Sequence, residues 1–339
     1  MATDFPIVDW LHAETYSPLG TDPFVAVDLS ADGGIDFASA LAPRSQAIIV
    51  GIDRSGVLPH IDVGPFDLLI STAPSPPQPW VGSDPSRLEE VVADLKSKAH
   101  AAPVAASVLR HVLRQAERAP VHEALATESL AYSALLGGGE FRRWLGEKPT
   151  LQAARATCEG PLVRYEREGD HVTLSLCDVG SRNAMSAEMR DALFEALASV
   201  LDDPSSPTLT LRAEGACFSV GGELSEFGES ADLAQAHAIR TVRSSARLLV
   251  ELGERATVEL HGACIGSGLE VPAAAKRRIA RPGTFFQLPE LRMGLIPGAG
   301  GTVSLTRAIG RHRTLFLALT GRRIKAEAIA NWGLVEIRP

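Results

Sequence analysis

Cysteine is scarce in this chain, as are aromatic side chains and long apolar runs. The four cysteines, Cys158, Cys177, Cys217 and Cys264, are spread over 339 residues, and none forms a C-x-x-C pair. That argues against a disulfide framework and against a dithiol redox motif, and a reducing cytoplasm is the expected compartment. No uninterrupted apolar stretch approaches the roughly 18 residues that cross a bilayer, so no membrane partner is expected. The opening MATDFPIVDW carries Asp4 and Asp9 where a signal peptide has a basic region and an apolar core. Aromatics make up only 5%, and no domain-wide positive charge accompanies them, which argues against a nucleic-acid surface. No G-x-S-x-G elbow is present, nor any H-E-x-x-H, and Gly298-Ala299-Gly300-Gly301 falls short of G-x-G-x-x-G. An ordinary α/β-hydrolase, a bound metal and a nicotinamide cofactor are therefore not expected.

What is there suits a globular protein with an ample core. Hydrophobic residues are 45% and charged ones 22%, and the length suggests two domains at roughly 150 residues each. The net charge of −8 is unevenly placed: residues 1–150 hold 11 basic and 19 acidic side chains, whereas 151–339 hold 22 of each. Residues 270–339 carry 12 basic against 4 acidic. Such a local excess suits a small polyanion, such as a phosphorylated cofactor or substrate. A solvated helical face is the plainer alternative.

The division at 150/151 follows the patterning. FVAVDL (24–29), AIIVGI (47–52) and FDLLIST (66–72) read as strands within an α/β segment over 21–75. Prolines between 73 and 86 prevent regular structure there. Residues 87–146 then read as helices, ended by Gly137-Gly138-Gly139, with Leu109, Val112, Leu113 and Ala116 on one face. Beyond 150, LVRYERE and HVTLSLCD predict a strand pair turning at Gly169-Asp170. A helix over 187–203 and strands over 208–215 and 256–266 follow, an alternation that predicts βαβ units and a mostly parallel sheet.

Two glycine-bearing turns end such strands, Phe218 to Leu224 and His261 to Glu270. Glycines at strand ends let backbone N–H groups converge, and two such turns side by side would make an oxyanion hole. Taken singly, each is more often an ordinary tight turn. Two carboxylates lie nearby: Glu270 closes the second turn, and Glu290 sits in Phe286-Gln287-Leu288-Pro289-Glu290. Paired carboxylates can divide proton donation and water activation between them. The alternative is that Glu290 caps a turn and Glu270 pairs with an arginine.

Four motifs in order resemble the crotonase, or enoyl-CoA hydratase/isomerase, superfamily. Asn183-Ala184-Met185-Ser186 is similar to N-A-[LM]-[NS], and Phe218 to Leu224 to F-S-A-G-G-D-L. Gly262 to Glu270 resembles G-x-x-x-G-G-G-x-E, and Phe286 to Thr302 resembles F-x-x-P-E-x-x-x-G-x-x-P-G-x-G-G-T. The resemblance implies an α/β fold with a crotonase-like ββα spiral core over about 160–337. It implies an acyl-CoA thioester as substrate, CoA entering only as part of it, with no other cofactor. The backbone N–H groups of Val220 and Ser267 would form the oxyanion hole, and Glu270 and Glu290 would work on water and Cα. Asn183, Ala184, Met185, Gly221, Gly266 and Gly298 would line the substrate and CoA site. The expected reaction is hydration of a 2-enoyl-CoA by a hydratase-like lyase. Isomerisation, C–C hydrolysis, oxygenation or idle CoA binding are the alternatives. A homo-oligomer, trimer or hexamer, is implied.

Three departures suggest an unusual acyl group: Val220 stands for Ala, Ser267 for the middle Gly, and Glu223 for Asp. A fourth concerns order. Family members continue past the G-L-V motif into helices, whereas here Leu334-Val335 is followed by Glu336 to Pro339. Residues 87–146 are similar to that helical tail, including E-x-x-A-Y-x-x-L and E-F-x-x-W-L, and are expected to take its place; a separate accessory domain is the alternative. Arg277, Arg278, Arg281 and Arg311 or Arg313 are candidates to neutralise CoA phosphates.

Overall fold

The computed structural model describes residues 10, 12–147 and 160–338. The division at 150/151 and Cys158 lie outside these residues. The N-terminal part runs β1 (Phe24–Asp28), α1 (Gly34–Leu41), β2 (Ile48–Asp53), β3 (Leu68–Ser71) and β4 (Val81–Gly82). Four helices follow: α2 (Leu88–Ala101), α3 (Pro103–Ala116), α4 (Val121–Leu136) and α5 (Gly139–Glu147). Pro103 opens α3, where its missing N–H costs nothing, and separates it from α2.

The four strands form one parallel sheet in the order β1-β2-β3-β4. Alternate side chains leave opposite faces. Ile49 packs with Phe37 and Leu41 of α1, whereas Ile48, Val50 and Ile52 enter the main core. The proline stretch carries only β4 and a short 3-10 turn, Pro85–Arg87.

A buried ion cluster fixes this sheet to α3. Asp67 accepts from Arg110 Nε at 2.8 Å, from Arg114 Nε at 2.7 Å and from the Ile49 N–H at 2.9 Å. The guanidinium groups are completed by the carbonyls of Ser45, Ala42, Gly64 and Pro65. Removing one member leaves uncompensated buried charge. Asp67→Ala is therefore expected to cost about 3–5 kcal/mol of stability. Denaturant unfolding checks this, and a loss below about 1 kcal/mol, the worth of a surface pair, would contradict it.

The C-terminal part begins with β5 (Val163–Glu168) and β6 (His171–Leu176), an antiparallel hairpin pairing Glu168 with His171 across Gly169-Asp170. It continues through α6 (Ala187–Leu201), β7 (Thr208–Ala213), α7 (Leu233–Val242), α8 (Ser245–Leu252), β8 (Ala256–Leu260), β9 (Ala263–Ile265) and α9 (Ser267–Glu270). The last elements are β10 (Arg277–Ala280), β11 (Phe285–Gln287), α10 (Gly301–Ile309), α11 (Arg311–Thr320), β12 (Ile324–Lys325), α12 (Ala326–Ala330) and β13 (Glu336–Ile337). The larger sheet has the order β13-β10-β8-β7-β6-β5 and is parallel except at β5.

A smaller sheet, β12-β11-β9, lies beside it. Each turn of chain lays one strand in the large sheet, one in the small sheet, then a helix: β8, β9, α9, then β10, β11, α10. This is a ββα spiral. The strand expected over 256–266 is thus two strands. The chain breaks at Gly262, whose φ of 59° is left-handed and whose missing Cβ leaves room for the Ala216 carbonyl.

One apolar core crosses from the N-terminal to the C-terminal part, from Phe24, Val50 and Leu109 to Leu305, Leu317 and Val335. Helices α2 and α3 pack on α11, and α3 and α4 on α10. All ten residues of α11 are buried, its charged ones included. Arg311 donates to the Phe66 carbonyl at 2.7 Å and to Glu117 at 3.0 Å, and Arg313 to the carbonyls of Trp80 and Pro76. Arg278 likewise bonds the carbonyls of Leu334 and Ala275. The reading of these three as phosphate-binding candidates is corrected: their donors hold the fold together.

Candidate active site

The two glycine turns lie side by side. Ser219 N–H donates to the Ala263 carbonyl at 3.2 Å, and Ile265 N–H to the Ser219 carbonyl at 3.1 Å. Gly221 has φ 95°, and a Cβ there would stand 2.8 Å from the Ile265 carbonyl oxygen. Only glycine admits this approach. Ser267 opens α9, so its N–H has no intrahelical partner, and it has no acceptor among the described residues. The Val220 N–H makes a long bond of 3.3 Å to the Arg182 carbonyl.

Glu270 closes α9. Its Oε2 accepts from the N–H groups of Ala299 (2.7 Å) and Gly301 (3.0 Å), where α10 begins. Gly301 is needed there, because a Cβ would come within 2.5 Å of Glu270 Cγ. Glu290 follows Pro289 and starts a 3-10 turn, Glu290–Met293. Its Oε1 lies against Gly266, where a Cβ would meet it at 2.7 Å, and its buried Oε2 has no hydrogen-bond partner among the described residues. Burial pushes the Glu290 carboxyl up to about 8. Burial raises Glu270 as well, and the nearby charges of Glu290 and Glu128 add to it. Two such groups do not both ionise near neutrality.

A third carboxylate comes from the N-terminal part. Glu128 of α4 accepts from Gly300 N–H (2.7 Å), Thr302 N–H (2.9 Å) and Thr302 Oγ1 (2.6 Å). Its carboxyl is pushed up to about 7, chiefly by burial, against the lowering effect of these donors. Tyr132, one turn further along α4, lies against Gly298 and beneath Arg240, whose guanidinium is 5.0 Å from the ring centre. Arg240 of α7 is held by Ser129 and Ser133 of α4. Burial raises the Tyr132 hydroxyl, and Glu270, Glu290 and Glu128 raise it further, so it stays protonated.

These groups line one cavity of about 1260 Å³. Val220, Gly221, Gly266, Ser267, Glu270, Glu290, Gly298 and Met185 are on its wall. Asn183 and Ala184 are not. The Asn183 amide turns inward and donates to the carbonyls of Glu214 (2.9 Å) and Cys217 (3.2 Å), so it shapes the first glycine turn from behind. Helices α4 and α5 close the other side with Leu125, Tyr132, Phe141 and Trp144, the last stacked on Phe141 at 5.7 Å and edge-on to Phe227.

Nothing in the local sequence pattern marks Glu128 and Tyr132 as site residues. Both stand in the E-x-x-A-Y-x-x-L segment, whose helical spacing signals docking and nothing more.

Two sheets wound as a ββα spiral, converging glycine turns and two buried carboxylates define a crotonase-type fold with room for a carbonyl beside two proton-carrying groups. The chain belongs to the enoyl-CoA hydratase/isomerase family, whose model matches residues 172–337. It is 30% identical over 179 residues to YngF of Bacillus subtilis, which carries the name of an enoyl-CoA hydratase/isomerase. That match covers 52% of this chain and 69% of that one. It is 31% identical over 185 residues to the fatty acid oxidation complex subunit alpha of Shewanella amazonensis, covering 50% of this chain and 25% of that one. It is 30% identical over 165 residues to the enoyl-CoA isomerase/hydratase fer4 of Mycosarcoma maydis, covering 46% and 60%. The chain thus spans only a quarter of the Shewanella subunit's length. The family match starts after Glu128 and Tyr132. Among the described residues, no helix is long and apolar enough to cross a membrane.

Proposed function

We propose that this protein adds water to a 2-enoyl-CoA thioester. The observation that carries the reading is the unequal bonding of two buried glutamates in one cavity. Glu270 receives two N–H bonds, which favour its anion against burial and its charged neighbours, whereas Glu290 Oε2 has no donor among the described residues and burial raises its carboxyl. Glu270 takes a proton from water as the oxygen bonds to Cβ. The alkene electron pair shifts to make an enolate, whose oxygen is held by the Ser267 and Val220 N–H groups, the latter leaving its long bond to Arg182. Glu290 then protonates Cα, so one water is added overall, and the two carboxyls are reset by proton exchange with solvent. Phe141, Trp144 and Phe227 supply an apolar wall, and Arg142, Arg190, Arg243 and Arg292 on the same cavity supply positive charge for CoA phosphates. A trimeric or hexameric assembly belongs to the same proposal.

Purified protein mixed with crotonyl-CoA is expected to consume the enoyl-thioester absorbance. The pH profile of kcat/KM is expected to be bell-shaped. Activity needs one proton on the pair, so it falls on the alkaline side, at about pH 8 or above, as that proton is lost. The acid limb lies above the ordinary carboxylate range, because burial raises both carboxyls. Stability follows the same sign. The folded pKa of Glu290 exceeds its unfolded value, so stability falls as pH rises from about 4.3 to about 8, at roughly 1.4 kcal/mol per pH unit. Thioester binding with no loss of absorbance would replace hydration by another crotonase-type reaction.

A further inference from the structure

Four successive backbone N–H groups, from Ala299 to Thr302, alternate between two carboxylates. Those of 299 and 301 point to Glu270, and those of 300 and 302 to Glu128. An N–H row at a helix start can rotate as a unit, because none of these groups has an intrahelical partner. A second acceptor engaging the intervening N–H groups holds that row in one orientation. We propose that Glu128, carried by the N-terminal helix α4, is a positioning residue for Glu270: it fixes the Pro297–Thr302 turn, and with it the place and charge of the Glu270 carboxylate. This rests on the hydration reading only for its kinetic consequences.

Three features support it. Glu128 is 2% exposed and reaches the turn from a segment more than 170 residues away in sequence. The Thr302 hydroxyl adds a third donor at 2.6 Å, so both Glu128 oxygens are engaged and the side chain has one pose. Gly300 has φ 102°, and a Cβ there would stand 2.5 Å from the Ala246 methyl, so only glycine lets the turn present its N–H groups to Glu128 at this close approach to α8. The groups facing this cluster are Tyr132 on the same helix, Arg240 on α7, Glu270 on α9 and Glu290 on the turn after β11. Of these only Arg240 is cationic, and its guanidinium is held by Ser129 and Ser133 of α4. Glu128 therefore acts on Glu270 in two ways, through the shared turn and through its own charge.

Glu128→Gln removes the charge and one acceptor while keeping the size. With crotonyl-CoA, kcat is expected to fall about 10- to 100-fold with KM within about threefold, as small displacements of catalytic groups do. The acid limb of the pH profile is expected to move down, because a negative neighbour of Glu270 is gone. Glu128→Asp keeps the charge but not the reach, so kcat falls while the acid limb stays. Thr302→Val, which removes one donor without emptying the site, gives a smaller shift in the same direction as Gln and serves if Glu128→Gln does not fold. A folded Glu128→Gln chain with native kcat and an unmoved acid limb would overturn the proposal. A second measurement needs no turnover: Tm at pH 8 for Glu128→Gln, Glu270→Gln and the double variant. Non-additive shifts uphold the positioning role even if the native chain hydrates nothing, in which case only the hydration reading falls. Additive shifts in folded variants overturn it whatever the activity.

Discussion

Glu290→Gln is expected to slow crotonyl-CoA hydration by about 10³-fold, within the range general acid catalysis supplies, with KM changed by less than about threefold. Glutamine matches the shape of the neutral carboxyl, so neither the Gly266 approach nor the cavity changes, but it has no proton to give to Cα. Glu290 Oε2 has no hydrogen-bond partner among the described residues, so replacing it breaks none of their bonds. Removing a buried carboxyl with a raised pKa also relieves the unfavourable ionisation at high pH. The variant is therefore expected to unfold at a higher temperature than the native chain at pH 9, and to gain less at pH 5. Loss of activity together with gain of alkaline stability separates a catalytic role from a structural one. Turnover within threefold of native would remove Glu290 from the mechanism.

A chain beginning at residue 160 is expected neither to stay soluble nor to unfold cooperatively, and to show no turnover. The truncation uncovers the apolar faces of α10 and α11, on which α2, α3 and α4 pack. It leaves the Arg311 and Arg313 guanidinium groups without the carbonyls and the carboxylate that now satisfy them. It also removes Glu128 from the turn that holds Glu270 and opens the cavity along the side formed by Tyr132, Phe141 and Trp144. Buried groups that lose their partners cost several kcal/mol each, comparable with the whole stability of a domain. Light scattering, thermal unfolding and the crotonyl-CoA assay check this. A soluble, active 160–339 chain would show that the N-terminal helices are an accessory.

Much of the fold and part of the site can be read from local pattern. The β5–β6 hairpin is legible because alternating strands meet at Gly169-Asp170, and helix α6 because Met189, Leu193 and Leu197 recur four apart. The break at Gly262 is not legible, because an apolar run looks the same whether it stays in one sheet or passes to a second. The arginines illustrate the same limit. Arg311 and Arg313 raise the local basic count as a phosphate site would, and only their burial against carbonyls of residues 63–80 shows what their donors do.

What the sequence alone determined, then, is what short-range chemistry encodes: the alternation of strands and helices, the glycine turns, Glu270 at the end of the second of them and Glu290 in the Pro-Glu segment beyond it. Glycine is the only residue for Gly221's positive φ and close approach, so its position carries structural meaning without a fold. The tertiary structure decided which N–H groups face a free space, that Asn183 turns away from the cavity, and that Glu128 and Tyr132 enter it from a helix far back in the chain. Those outcomes depend on contacts between residues many positions apart. A helical glutamate reads the same in sequence whether it ends in water or caps the turn beside another carboxylate; burial and the partners it meets make the difference.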